Sequence, residues 1–268
     1  MDGRPNLDGV YGATTDPVRL IYMMGLIWRF AQDRPGASID LLEIGSWCGA
    51  SALTWADAIA LYCGEQSHLA CVDAWESYYD ADTNEQGWSS LIEDTLKGDH
   101  AYDMFRHNMT FMAPGVVLDI HRGRSEVILP TLPWASFDVV YIDGDHTYGA
   151  IADDITNAIA LVRVGGVICG DDLELQEDEC DSSFAVRLPT TDYVHDRRKD
   201  AWFHPGVTKA VWERFGRVSA WRGFWAMRKL EHGWQPVSLV GMPMRLPSHI
   251  PPLRLVELKL FLMREGLL

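Results

Sequence analysis

The chain has 268 residues, with 38 Asp and Glu against 23 Lys and Arg and a formal net charge of −15. A hydrophobic fraction of 47% with 11% aromatics is enough to bury a core, which excludes a disordered chain. The acidity argues against a nucleic-acid partner and against docking on an anionic membrane, since both need a basic surface.

From Pro17 to Gln32, apolar residues at Leu20, Ile21, Met24, Ile27, Trp28 and Ala31 follow helical spacing, with Asp16 as the cap. A short apolar run, Ile39 to Ile44, reads as a strand. Ala50–Leu61 reads as a helix and His68–Val72 as a strand ending at Asp73. Residues 74–94 are acidic and aromatic and read as a loop or lid. A helix over Tyr102–Met112, a strand over Val116–Ile120 and a short helix over Ser125–Leu132 follow. Phe137–Ile142 is a strand, Ile151–Val162 a helix, and Val167–Cys169 lies in a strand after Gly165-Gly166. Residues 173–203 form a long polar stretch. His204-Pro-Gly-Val207 opens a helix to about Phe215. Val218–Trp221 and Phe224–Met227 flank Arg222-Gly223 as a hairpin. Leu253–Arg264, after four prolines, is apolar on most sides and must be covered by its own domain or by a second subunit.

Strands without alternation are buried on both faces, and their alternation with helices predicts a parallel α/β sheet. The expected division is a helical segment over 1–38, a ligand-binding domain over 39–230 with insertions at 74–94 and 173–203, and a tail over 231–268. Five cysteines (Cys48, Cys63, Cys71, Cys169, Cys180) show no CxxC pairing, so neither a disulfide framework nor a zinc ribbon is expected. No signal-peptide pattern and no apolar run of membrane-spanning length is present, so a soluble cytoplasmic protein is the expectation.

A parallel sheet binds ligands at the carboxyl ends of its strands. Those ends carry Glu43-Ile-Gly45-Ser46, Asp73, Gly123, Asp143-Gly-Asp145 and Asp171-Asp172. Gly45 and Gly49 allow a tight turn before a helix start whose N–H groups can meet a ligand. Asp73 can accept bonds from ribose hydroxyls. Neither GxGxxG nor a P-loop is present, so a dinucleotide fingerprint and a phosphate cradle are both missing. Asp143, Asp171 and Asp172 close neighbouring strands. Their mutual repulsion would be relieved by a hard cation such as Mg²⁺, which takes oxygen ligands.

The segment ExGxxxGxS over Glu43–Ser51, followed by Asp73, resembles the first two motifs of class I S-adenosylmethionine-dependent methyltransferases. Such a resemblance implies a Rossmann-like seven-stranded methyltransferase sheet, mostly parallel with an antiparallel last strand and helices on both faces. It also implies S-adenosylmethionine contacts at Glu43, Gly45, Ser46, Gly49, Ser51 and Asp73, with Gly123 and Ser125 nearer the adenine. Asp143-Gly-Asp-His146-Thr-Tyr148, then GGVICGDD ending at Asp172, resembles the metal-dependent sugar O-methyltransferases of antibiotic biosynthesis. By that resemblance Asp143, Asp171 and Asp172 hold Mg²⁺, Asp143 also faces the cofactor, and His146 is the general base. A divalent cation would lower the pKa of a sugar hydroxyl, and a histidine could then take its proton. The implied partner is a small-molecule or glycoside acceptor. The alternatives are a catechol-like diol as acceptor, or a non-catalytic sugar- or nucleotide-binding module of the same fold.

Overall fold

The computed structural model describes residues 3–7, 10, 16–77, 95–180, 187 and 191–264. Helix α1 (Pro17–Asp33) opens where the Asp16 carboxylate accepts the Val18 N–H at 2.9 Å, with Pro17 in the first turn. Its apolar stripe, including Leu20, Ile21, Met24 and Ile27, is buried. Strand β1 (Asp40–Ile44) leads through a glycine turn into α2 (Ala50–Tyr62), then β2 (Ser67–Asp73). After α3 (His100–Met109) come β3 (Val116–Arg122), α4 (Ser125–Ile128), β4 (Phe137–Ile142), α5 (Tyr148–Leu161) and β5 (Val162–Leu173). The remainder holds β6 (Val194–Asp196), β7 (Ala201–Phe203), α6 (Pro205–Phe215), β8 (Ser219–Trp221), β9 (Gly223–Lys229), β10 (Trp234–Pro236) and α7 (Pro252–Arg264).

The main sheet runs β10-β9-β5-β4-β1-β2-β3. Strands β3, β2, β1, β4 and β5 are parallel, and β9 is antiparallel to β5. All six residues of β4 are buried, as expected of a strand covered on both faces. Alternate residues feed two cores. Leu41, Val139, Tyr141 and Cys169 pack with α1, α2 and α3 on one face. Leu42, Val140, Ile142 and Ile168 pack with α5 and α6 on the other. The expected sheet with helices on both faces is therefore present, with the chain running outward from β1 to one edge and from β4 to the other.

Several boundaries differ from expectation, each for a local reason. Helix α3 stops at Met109 rather than Met112, because Pro114 and the left-handed Gly115 (φ 87°) follow closely. Strand β5 begins at Val162, bending at Gly165 (φ 83°) rather than starting after it. The long polar stretch expected as an insertion over 173–203 contains the β6–β7 hairpin and a short 3-10 turn at Glu177–Glu179, whose N-terminus Gln176 and Glu179 cap reciprocally. The sheet has eight strands rather than seven. The predicted hairpin forms β8–β9 around Arg222 (φ 55°) and Gly223 (φ 94°), and β10 pairs with the remaining length of β9's outer edge. Helix α7 docks on its own domain through Leu258 and Leu262, while Val256, Leu260 and Met263 stay exposed. Among the described residues no helix is long and apolar enough to cross a membrane.

Candidate functional site

The crevice between β1 and β4 lies where strand order reverses, the usual ligand position in such sheets. Gly45 ends β1 there with φ 85° and turns back against β4. A Cβ on it would lie 2.0 Å from the Asp143 carbonyl oxygen, so only glycine allows the two strand ends to meet. Gly49 (φ 89°) precedes α2 and offers no side-chain cap, so the first N–H groups of that helix are left for a ligand. Glu43 is fully buried beneath this turn. Burial pushes its carboxyl up to about 7, against the opposing effect of the Ser46 and Ser51 hydroxyls and the Cys71 thiol.

Asp73 does more than close β2. Its carboxylate accepts the N–H groups of Ser46 (2.9 Å), Trp47 (2.8 Å) and Trp75 (2.6 Å), which fixes the glycine turn. An ionised carboxylate has about four acceptor positions, and these N–H groups take three of them. Gly123 follows β3 and donates its N–H to the Asp73 carbonyl at 2.8 Å. Ser125 starts α4, and its hydroxyl bonds the buried Asp154 carboxyl, which burial pushes up to about 7. A cavity of about 430 Å³ opens at the ends of β2 and β3, lined among others by Trp75, Glu76, Lys97, Asp99 and Arg122. Trp75 itself is core. It packs on Tyr102 and Phe105 and donates its indole N–H to the Trp47 carbonyl at 2.7 Å. The other lid aromatics, Tyr78, Tyr79 and Trp88, lie outside the described residues.

The acidic end is where the tertiary fold adds most. Asp143, Asp171 and Asp172 do close β4 and β5 side by side, but α1 delivers Arg19 among them. Its Nη1 lies 2.8 Å from Asp171 and 2.6 Å from Asp172, and its Nη2 lies 2.8 Å from Glu174. His146 follows β4. Its Nε2 lies 3.0 Å from Asp172 and 3.8 Å from Asp143, while its Nδ1 meets Asp192 at 2.9 Å. His204, the residue before α6, stacks edge-on to His146 with ring centres 4.8 Å apart, and its Nδ1 contacts Glu174 at 3.1 Å. Gly206 makes that approach feasible, because a Cβ there would sit 2.3 Å from the His146 carbonyl oxygen. The HPGV motif thus seats α6 against the DGDHTY turn. Tyr193 stacks on Trp202 and leans on His204, forming an aromatic wall beside the two histidines.

The carboxyls divide by environment. Burial, reinforced by Asp172 and Asp143, holds Asp171 well above the usual carboxylate range even though Arg19 opposes it. Burial acts in the same direction on Asp172, but His204, His146 and Arg19 outweigh it and hold that carboxyl well below the range. Burial also raises Asp143, with His146 opposing, and the Tyr141 hydroxyl donates to it at 2.9 Å. His204 is shifted toward its charged form, since Asp172 and Glu174 overcome its burial.

The trio Asp143, Asp171 and Asp172 does not fit the hard cation that the resemblance implies. Two of its oxygens are already held by Arg19. Among the described residues the group of three donors that converges is instead His146, Asp172 and His204, with ligand atoms within 4.8 Å of one another. Arg19, Glu174, Asp192 and His204 were not singled out from sequence. Only the HPGV motif, with a glycine beside a histidine at a helix start, carried a local signal for one of them.

Residues 42–173 match a family model described as "Methyltransferase domain". No curated protein matches the chain. Among solved structures, a putative O-methyltransferase from Klebsiella pneumoniae shares 20% identity over 62% of this chain, which spans 60% of that one, with a TM-score of 0.41. The O-methyltransferase TomG from Streptomyces achromogenes, of tomaymycin synthesis, shares 20% identity over 80% of this chain and 79% of its own, with a TM-score of 0.43. CalS11, a TDP-rhamnose 3'-O-methyltransferase of calicheamicin biosynthesis, shares 15% identity over 78% and 77%, with a TM-score of 0.42. The matched segment runs from β1 to the end of β5 and is similar to a methyltransferase domain.

Proposed function

We propose that this protein moves a methyl group from S-adenosylmethionine to a hydroxyl of a sugar or similar polyhydroxylated small molecule, with His146 as the general base. The observation that carries this reading is the placement of His146. Its Nδ1 is anchored on Asp192 at 2.9 Å, and its Nε2 is turned toward the strand-end carboxylates. Nε2 is the nitrogen on the strand-end side, and an acceptor hydroxyl that replaces Asp172 as its partner would deliver its proton there. The glycine turn supports the cofactor assignment. Gly45, Ser46, Gly49 and Ser51 with the open start of α2 would hold the amino-acid part, Glu43 lies beneath it, and Asp73 would accept a bond from a ribose hydroxyl. Gly123 and Ser125 stand at the next strand end, toward the adenine. When bound, S-adenosylmethionine supplies a methyl carbon on a positively charged sulfur, which keeps the bonding electron pair as the acceptor oxygen takes the carbon.

The protein's own part is to bring the hydroxyl to His146 Nε2, accept its proton there and keep water out. Tyr193 and Trp202 offer polar-edged aromatic faces of the kind on which sugar rings rest. A catechol-like diol would suit the same wall, and a binding module without turnover would keep the glycine turn but not need His146. Calorimetry with S-adenosylhomocysteine, followed by transfer from labelled S-adenosylmethionine to a panel of glycosides and diols, tests the proposal. Replacement of His146 by alanine is expected to lower turnover by about 10²–10⁴-fold while cofactor affinity is retained. Undiminished turnover would sink the base assignment, and absence of S-adenosylhomocysteine binding would sink the methyltransferase reading.

A further inference from the structure

Arg19 is not a surface residue that happens to lie near acids. Every nitrogen of its guanidinium is engaged. Nε donates to the Arg222 carbonyl at 2.7 Å, Nη1 contacts Asp171 and Asp172, and Nη2 contacts Glu174. Its side chain is 14% exposed. The seat is shaped for it by the turn between β8 and β9, since a Cβ on Gly223 would fall 2.5 Å from Nη2. The same turn is tied to the start of α1, where Arg222 Nε lies 3.3 Å from the Asp16 carboxylate that caps the helix. Three elements distant in sequence therefore converge to hold one fixed positive charge.

That charge sits where a metal would. A magnesium ion bound to Asp171 Oδ1 and Asp172 Oδ1 at about 2.0–2.1 Å would occupy the volume of Nη1. We propose that Arg19 is the permanent cation of this centre, standing in for the divalent metal of the enzymes the chain resembles, so that the protein binds its ligands without Mg²⁺. The guanidinium is always charged and its planar fork matches several carboxylates at once, which a lysine cannot reproduce. Arg19 acts as a positioning residue. It compensates Asp172 and Glu174, which in turn hold His146 and His204. The metal-binding part of this inference stands without the methyltransferase reading; only its extension to turnover rests on that reading.

The test is calorimetric titration of the full-length, EDTA-treated protein with MgCl₂, MnCl₂ and ZnCl₂, alongside S-adenosylhomocysteine. The wild type is expected to show no saturable binding of any of the three metals and an S-adenosylhomocysteine affinity unchanged by EDTA. Arg19→Met, which leaves the carboxylates uncompensated, is expected to gain Mg²⁺ binding at least about tenfold tighter than the wild type, a gain Arg19→Lys should not show. Saturable Mg²⁺ or Mn²⁺ binding by the wild type would overturn the proposal, and so would a folded Arg19→Met protein that gains none. Zn²⁺ binding by the wild type that disappears in His204→Ala would overturn it in favour of the His146, Asp172 and His204 group. Should Arg19→Met not fold, the wild-type titrations decide alone. Failure of S-adenosylhomocysteine binding, with the metals still excluded, would overturn the cofactor reading and leave Arg19 in place.

Discussion

His146 and Asp192 lie 46 positions apart in sequence, yet the Nδ1 of one meets the carboxylate of the other at 2.9 Å. This contact selects which imidazole nitrogen faces the strand ends. A carboxylate faces each imidazole nitrogen, Asp192 at Nδ1 and Asp172 at Nε2 (3.0 Å), and the Asp192 contact fixes the ring so that Nε2 is the one on the strand-end side. Asp192 is 7% exposed, so the contact is sheltered from competing water.

Asp192→Asn preserves size but can present its amide to Nδ1, which allows the wrong tautomer. Turnover is expected to fall by about 10²-fold or more, with S-adenosylhomocysteine affinity within about twofold of wild type. Steady-state kinetics with parallel calorimetry would show the split. Equal losses in both would mean that Asp192 only supports the fold.

Glu43 should make stability depend on pH. Its carboxyl rises from an ordinary 4.5 to about 7 on burial, so the folded protein holds a proton that the unfolded chain has released over that interval. The stabilising contribution is complete below about pH 4.5 and is lost as pH rises through about 7, by up to ~3 kcal/mol. Glu43→Gln cannot ionise. Urea unfolding at pH 5 and pH 8 should show a smaller decline for the variant than for the wild type, and matching declines would remove Glu43 as a cause. The Asp154 carboxyl, also raised to about 7, contributes in the same direction in both proteins.

Gly45→Ala tests the junction of β1 with β4. The residue combines φ 85° with a Cβ position 2.0 Å from the Asp143 carbonyl oxygen. Left-handed backbone alone costs a non-glycine residue about 1–2 kcal/mol, and relieving the overlap must part the two strand ends. A loss of at least ~2 kcal/mol in denaturant unfolding is expected, accompanied by weaker S-adenosylhomocysteine binding. A neutral substitution would show that the crevice is looser than this geometry requires.

Leu262 is 1% exposed although it lies in the last turn of α7. If the helix is an integral part of the domain, Leu262→Ala should cost about 2–5 kcal/mol, the usual range for a buried leucine. The exposed Leu260, at 62%, should tolerate alanine within about 0.5 kcal/mol. Thermal melts of the two variants side by side would decide. Similar losses at both sites would point to a cover over the exposed face.

Much of the fold was legible because its signals are local. Apolar runs such as Phe137–Ile142 and Ile39–Ile44 carry their burial in their own composition, and a glycine or aspartate directly after each marks the strand end. Asp73, Asp143, Asp171 and Asp172 could therefore be assigned to one edge before any contact was known. The β8–β9 hairpin was equally local, written in Arg222-Gly223. The short β6 and β7 were not, since three-residue strands in a polar stretch have no period to detect.

What the tertiary structure alone decided is how the charges at that edge are balanced. From sequence, crowded carboxylates call for a cation, and nothing in the chain says that α1 provides it. Arg19 sits 152 and 153 positions before Asp171 and Asp172, on a helix whose pattern reports only its buried face. The partner of His146 is hidden in the same way, in a loop whose composition is that of solvated surface. Local pattern fixes which side chains stand at the end of a strand, because that depends on neighbours in the chain. Compensation of a buried charge depends on whatever element packs over it, and that is settled only when the sheet closes beneath α1 and α6.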